Sequence, residues 1–143
     1  MTIRVHFSGG KRVDAEVGSH IIHTDQAPEH GGNGSAPEPF ELFLSSLATC
    51  AGLYVLGFCQ ARQISTEGIE LVQHHRFDAG GQRLEAIELD ILLPDTFPEK
   101  YRNAVVNAAA ACKVKKALFA PPTVVVSARA ADGVMLATNA TAA

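Results

Sequence analysis

The chain has 143 residues, 47% hydrophobic and 19% charged, with a net charge of −3 and a pI near 6.0. That length predicts one domain over residues 1–143, and the weakly acidic balance gives no pull toward nucleic acid or anionic lipid. A charged share below the usual quarter fits a chain that hides much of its surface, as an oligomer does. The opening MTIRVHFSGGKR has the pattern of a strand and not of a signal peptide. With an odd count of three cysteines, this predicts a reducing cytoplasm and thiols that are catalytic, redox-active or merely buried, not a disulfide framework.

In chain order, Ile3, Val5 and Phe7 alternate with polar residues, a half-buried strand that Gly9-Gly10 turns. Val13, Ala15 and Val17 make its hairpin partner, and HIIHTD a third strand. A Gly/Pro-rich loop follows, and then PEPFELFLSSLATCAGLYVLGFCQAR, in which no residue between Glu41 and Arg62 is charged. Ser35 and Glu38 form an S-x-x-E capping box, Pro37 suits the first turn, and the helix is expected to run to about Arg62. Its length would suit a membrane span. Ser45, Ser46, Thr49 and Gln60 interrupt it, and no basic or aromatic girdle frames it. The reading is a helix buried in a core, wrapped by a sheet or by a second subunit, with no membrane partner.

Beyond it, residues 67–78 and 82–94 form a hairpin through Ala79-Gly80-Gly81, with Ile87, Leu89 and Ile91 on one face. Pro98 opens a second helix with an apolar stripe of Tyr101, Val105, Ala108 and Cys112. KVKKAL makes a short turn or helix, and Thr123 to Ala128 a last buried strand. Residues 132–143 form an edge strand at Val134 to Ala137 or a tail. The order is α+β with antiparallel pairing.

Six histidines raise a metal site, but His20 and His23 in a strand fall on opposite faces, so no metal site is predicted. The cysteines carry more. A thiol attacks only as the thiolate, and Cys50 lies too far into its helix for that helix's own dipole to ionise it. Burial would oppose ionisation. A cation from another element is needed, and without one Cys50 is a small core residue. Cys59 lies on the opposite helix face and reads as structural. Cys112 ends one helix and begins another, with Lys113, Lys115 and Lys116 behind it, a setting that favours a thiolate.

The run Pro39-Phe40-Glu41-Leu42 before a small, apolar helix reaching Cys50 resembles the central helix of OsmC/Ohr proteins. So does Cys112 after an alanine-rich helix, with the sequel VKKAL. The element order is similar over residues 1 to about 129. The resemblance implies an OsmC-like, interlocked homodimer, antiparallel sheets wrapped around a long central helix, with its site at the subunit interface. It implies Cys50 as the peroxidatic cysteine attacking an organic hydroperoxide and Cys112 as the resolving cysteine. A dithiol reductant, lipoyl-type in the best-known branch, would restore both thiols, and no metal, haem or other cofactor is required.

The chain departs from that pattern twice. Phe40 stands where the strongly active branch has a glutamate, with Glu41 next. Lys11 follows the Gly9-Gly10 pair where the family has its activating arginine, with Arg12 one place on. The candidate catalytic set is therefore Cys50, Cys112, Arg12 and Glu41. The reading is a thiol-dependent peroxidase. The alternative is an OsmC-like dimer that binds a small apolar ligand or electrophile with little peroxidase activity.

Overall fold

A computed structural model describes residues 1–141. The chain is α+β, and the described residues form three antiparallel sheets of three, two and two strands. It divides into two compact units, residues 1–49 and residues 50 onward.

The first unit opens with strands β1 (Ile3–Gly9), β2 (Arg12–Val17) and β3 (His20–Ile22), paired in that order. Ile3 faces Val17, Val5 faces Ala15 and Phe7 faces Val13, so the apolar alternation sets the register. Gly9 and Gly10 turn the chain with φ of 93° and 62°, a left-handed conformation that side-chain-bearing residues rarely adopt. The expected half-burial of β1 is corrected: Ile3, Val5 and Phe7 are exposed, Phe7 at 88%. The covered side chain is Asp14, on the opposite face of β2. It accepts from Ser8 Oγ at 2.6 Å and pairs with His23 Nδ1 at 3.2 Å. The Ser8 hydroxyl chiefly holds its carboxyl below the usual range, against the cost of desolvation.

The loop after β3 is organised by Asp25, which is almost fully buried. Its carboxylate accepts from the backbone N–H of Gln26, Asn33 and Ser35, at 2.8, 3.2 and 3.1 Å, and from Ser35 Oγ at 2.7 Å. Gly32 packs so closely on this loop that a Cβ there would lie 2.0 Å from the Gln26 carbonyl oxygen. The expected Ser35–Glu38 capping box does not form, because the Ser35 hydroxyl serves Asp25. Half of such a box sits three residues on. The Glu38 carbonyl accepts the first helical bond, from Leu42 N–H, and Glu41 Oε2 reaches back to accept from Glu38 N–H at 2.9 Å. Pro39 then occupies the first helical position.

Helix α1 spans Pro39–Gln60, about 33 Å, two residues shorter at each end than the sequence suggests. Among the described residues it is the helix long and apolar enough to cross a membrane. Leu44, Ala51, Val55 and Cys59, at spacings of seven, four and four, form its buried stripe.

In the second unit, α1 ends beside a hairpin of β4 (Glu70–Phe77) and β5 (Leu84–Leu92). A Cβ on Gly52 would stand 4.0 Å from Leu71 of β4, an ordinary contact distance, so helix and sheet pack here with room for a methyl group. A 3-10 turn at Glu99–Tyr101 leads into α2 (Arg102–Ala110), and α3 (Lys113–Phe119) follows. The buried residues of α2 are Val105 and Ala109, joined by Phe97 and by Cys112 beyond the helix, so Ala109 replaces the expected Ala108. Arg62 lies over Phe58 at 3.8 Å and over Tyr101 at 5.5 Å, and the two rings meet edge-on at 5.9 Å. This cation–aromatic stack joins the end of α1 to the start of α2. The last hairpin pairs β6 (Val124–Arg129) with β7 (Met135–Thr141). The expectation of a buried β6 is corrected, since Val124, Val125 and Val126 are all exposed. The edge strand expected at 134–137 is β7, and positions 142–143 lie outside the described residues.

Asp25 should dominate the acid stability of the first unit. Its donors hold its carboxyl down to about 2, the Ser35 hydroxyl most of all. The folded value lies below the unfolded one, so its contribution is complete above about pH 4 and lost as pH falls through about 2. Asp25→Ala should lower Tm at pH 7 by on the order of 5 °C. The wild-type advantage should shrink in scans between pH 4 and pH 2, and a pH-independent difference would overturn this.

Candidate active site

Cys50 lies in the middle of α1, on the side away from the buried stripe. Cys59, nine residues on, is 0% exposed, while Cys50 is half-buried and its neighbour Leu53 is 64% exposed. Burial pushes the Cys59 thiol up, with Arg62 opposing only in part. Cys59 is thus a core residue, as its helix position implies.

The Cys50 thiol is held below its ordinary value. The largest cause is a hydrogen bond from the backbone N–H of Val114, against desolvation. The Lys113 N–H, the Cys112 thiol and the Lys113 charge add to it. All these donors come from the start of α3. The dipole of α1 is spent too far away to ionise Cys50, but α3 begins at its sulfur, and N–H groups of a first turn have no helical partners of their own. The activating groups that sequence reasoning sought among distant cations are therefore mainly backbone amides. Side-chain patterns carry no trace of such donors. The usable signal was the helix start at Cys112-Lys113, which the sequence assigned to Cys112 alone.

Cys112 is 0% exposed and caps α3, its Sγ accepting from Lys115 N–H at 3.4 Å. Its extended backbone, φ −61° and ψ 148°, is that of an N-cap. The two thiols expected to act together are brought into hydrogen-bonding contact, and no disulfide joins them. The arrangement holds one ionisable, partly accessible sulfur with a second thiol at its side. That is the geometry for forming a sulfenic acid and condensing it to a disulfide.

The other two candidates lie in the first unit. Arg12 is the exposed first residue of β2, and its charge helps hold Asp14 ionised. Glu41 caps α1 through the Glu38 amide. Lys11 lies in the hairpin turn. Phe40, the residue in the family's glutamate position, stacks on Phe43 at 5.6 Å. Among the described residues no three His, Cys, Asp or Glu side chains gather as a metal site.

Iodoacetamide at pH 7 should label Cys50 roughly tenfold or more faster than Cys59. Lys113→Ala should move the labelling midpoint of Cys50 to higher pH, since the charge is lost while the amides stay. Equal labelling of Cys50 and Cys59 in the folded protein would overturn the assignment.

The OsmC-like protein family model matches residues 32–127, well over half of the chain. No curated protein matches the sequence. Among solved structures, a protein of Psychrobacter arcticus described as an osmotic stress induced and detoxification response protein has a TM-score of 0.66. It is 24% identical, over 82% of this chain and 87% of that one. An organic hydroperoxide resistance protein of Legionella pneumophila has a TM-score of 0.52 at 19% identity, over 82% and 87%. One of Vibrio cholerae, with captopril bound in one of its active sites, has a TM-score of 0.53 at 18% identity, over 82% and 84%. At these identities the structures support the fold, and the match of the family model over both Cys50 and Cys112 settles the kinship: the chain belongs to the OsmC-like protein family.

Proposed function

We propose that this protein is a thiol-dependent peroxidase that reduces organic hydroperoxides. The observation that carries the reading is the partly accessible Cys50 sulfur, held toward the thiolate by the α3 amides, with the Cys112 thiol beside it. The Cys50 thiolate attacks one oxygen of the O–O bond. An S–O bond forms, the O–O bond breaks, and the alkoxide leaves as an alcohol after taking up a proton. The Cys112 sulfur then attacks the sulfenic acid, forming S–S and releasing water. A dithiol of lipoyl type returns both cysteines to thiols while becoming a disulfide itself. The descriptions of the Legionella and Vibrio proteins as organic hydroperoxide resistance proteins support this substrate class.

The reading extends to a homodimer in the cytoplasm. Ile3, Val5 and Phe7 of β1 and Val124, Val125 and Val126 of β6 are exposed in the single chain, more apolar surface than a monomer keeps in water. The family resemblance adds Arg12 and Glu41 to the catalytic set. A second reading, an OsmC-like binder of a small apolar ligand with little turnover, draws on Phe40. With Phe43 it presents a stacked, exposed aromatic pair in place of a carboxylate.

Turnover of tert-butyl hydroperoxide with a reduced lipoyl dithiol tests the first reading. Cys50→Ser should lose on the order of 10³-fold or more, as loss of a nucleophile does. Cys112→Ser should accumulate sulfenic or sulfinic acid on Cys50, visible by intact mass. Wild-type-like turnover in Cys50→Ser would refute the mechanism, and no turnover beside tight binding of an apolar ligand would favour the second reading. Sedimentation at micromolar concentration should show dimers and no folded monomer.

A further inference from the structure

The first turn of α3 leaves three backbone N–H groups without helical acceptors, those of Lys113, Val114 and Lys115. The Cys112 N–H bonds to the Ala109 carbonyl at 3.3 Å, and the helical ladder starts with Lys116 N–H on the Cys112 carbonyl at 3.1 Å. Lys115 N–H finds its acceptor in Cys112 Sγ at 3.4 Å. The Lys113 and Val114 amides favour the thiolate of Cys50. The thiol expected to close the disulfide is thus also the cap of the helix that follows it.

We propose that the Cys112 thiol, as the N-terminal cap of α3, couples that helix to redox state, so that oxidising the Cys50–Cys112 pair to a disulfide uncaps and loosens its first turn. This rests on the peroxidase reading for its physiological oxidant, but not for its structural content. The chemistry of uncapping follows from the bond that forms. Whatever thiolate character the Cys50 sulfur has is lost when it enters the S–S bond, and the Lys113 and Val114 amides then face a neutral sulfur. Cys112 Sγ must come within about 2.05 Å of Cys50 Sγ with a fixed dihedral preference. That geometry replaces the one aimed at Lys115 N–H. A helix of seven residues has little else to hold its start, and among its residues none is fully buried. Reduction restores both acceptors and re-forms the turn. The oxidised protein therefore presents its disulfide beside a mobile segment, while the reduced protein holds a closed, capped site.

Amide hydrogen exchange of the full-length protein tests this. The disulfide is made in two ways, with tert-butyl hydroperoxide and with diamide, a thiol oxidant that needs no peroxidase activity. Intact mass reports the loss of two hydrogens per chain. In the diamide-oxidised protein the Lys115 amide should exchange roughly tenfold or more faster than in the reduced protein, while β4 and β5 stay protected. Dithiothreitol should reverse the change. Cys112→Ala should exchange fast at Lys115 without any oxidant. Cys112→Ser keeps an oxygen cap, so it should stay protected before and after either oxidant. A disulfide that leaves Lys115 protection unchanged, a Cys112→Ala protein protected like wild type, or the failure of diamide to join the two cysteines would overturn the proposal. A disulfide that forms with diamide but not with the hydroperoxide, with Lys115 released, would uphold it and refute the peroxidase reading instead.

Discussion

A helix start is a row of N–H groups that need acceptors, and in α3 one acceptor is a sulfur atom, Cys112 Sγ, with the amides before it favouring a second, that of Cys50. Much of the site follows from that constraint. Backbone amides cannot be displaced by solvent as a lysine side chain can, and they cost no rotamer entropy to aim. They favour negative charge wherever they converge. A thiol placed there is drawn toward the thiolate by the fold itself. The Lys113 charge adds to a field that the main chain has already set.

The same economy governs the first unit. Its covered polar groups draw on short-range partners: Asp25 on its own loop, Asp14 on the Ser8 hydroxyl with His23 close by, and Glu38 on Ala27 N–H and His30. These bonds fix a loop of mostly small residues, which has little apolar surface to bury, and deliver the chain to Pro39 in the conformation a helix entry needs. The apolar side chains of β1 are left outside this arrangement.

Elements with a period were legible in the sequence. The hairpins, the uncharged helix, the alanine-rich helix and the short helix after Cys112 were read from alternation, spacing and turn residues alone. What escaped was set by competition between partners. Ser35 looked like a cap, but Asp25 claimed its hydroxyl. Three consecutive valines looked like a core strand, but one chain brings nothing to cover them. For the site, the family resemblance pointed to Cys50 and Cys112, which residue type and spacing alone left open as core thiols. The amides that lower the Cys50 thiol were not legible, because a backbone amide is the same in every residue and only its position in space gives it a role.

The stack of Arg62 on Phe58 and Tyr101 ties together the two elements that carry the thiol pair. Phe58 stands eight residues after Cys50 along α1, about 12 Å of helix, and Tyr101 stands eleven residues before Cys112. The two rings meet edge-on, and the guanidinium lies over the Phe58 face. That clasp depends on ring quadrupoles and packing more than on net charge, and ionic strength weakens it less than it would a surface ion pair. The join between α1 and the start of α2 is therefore built to tolerate changes in salt.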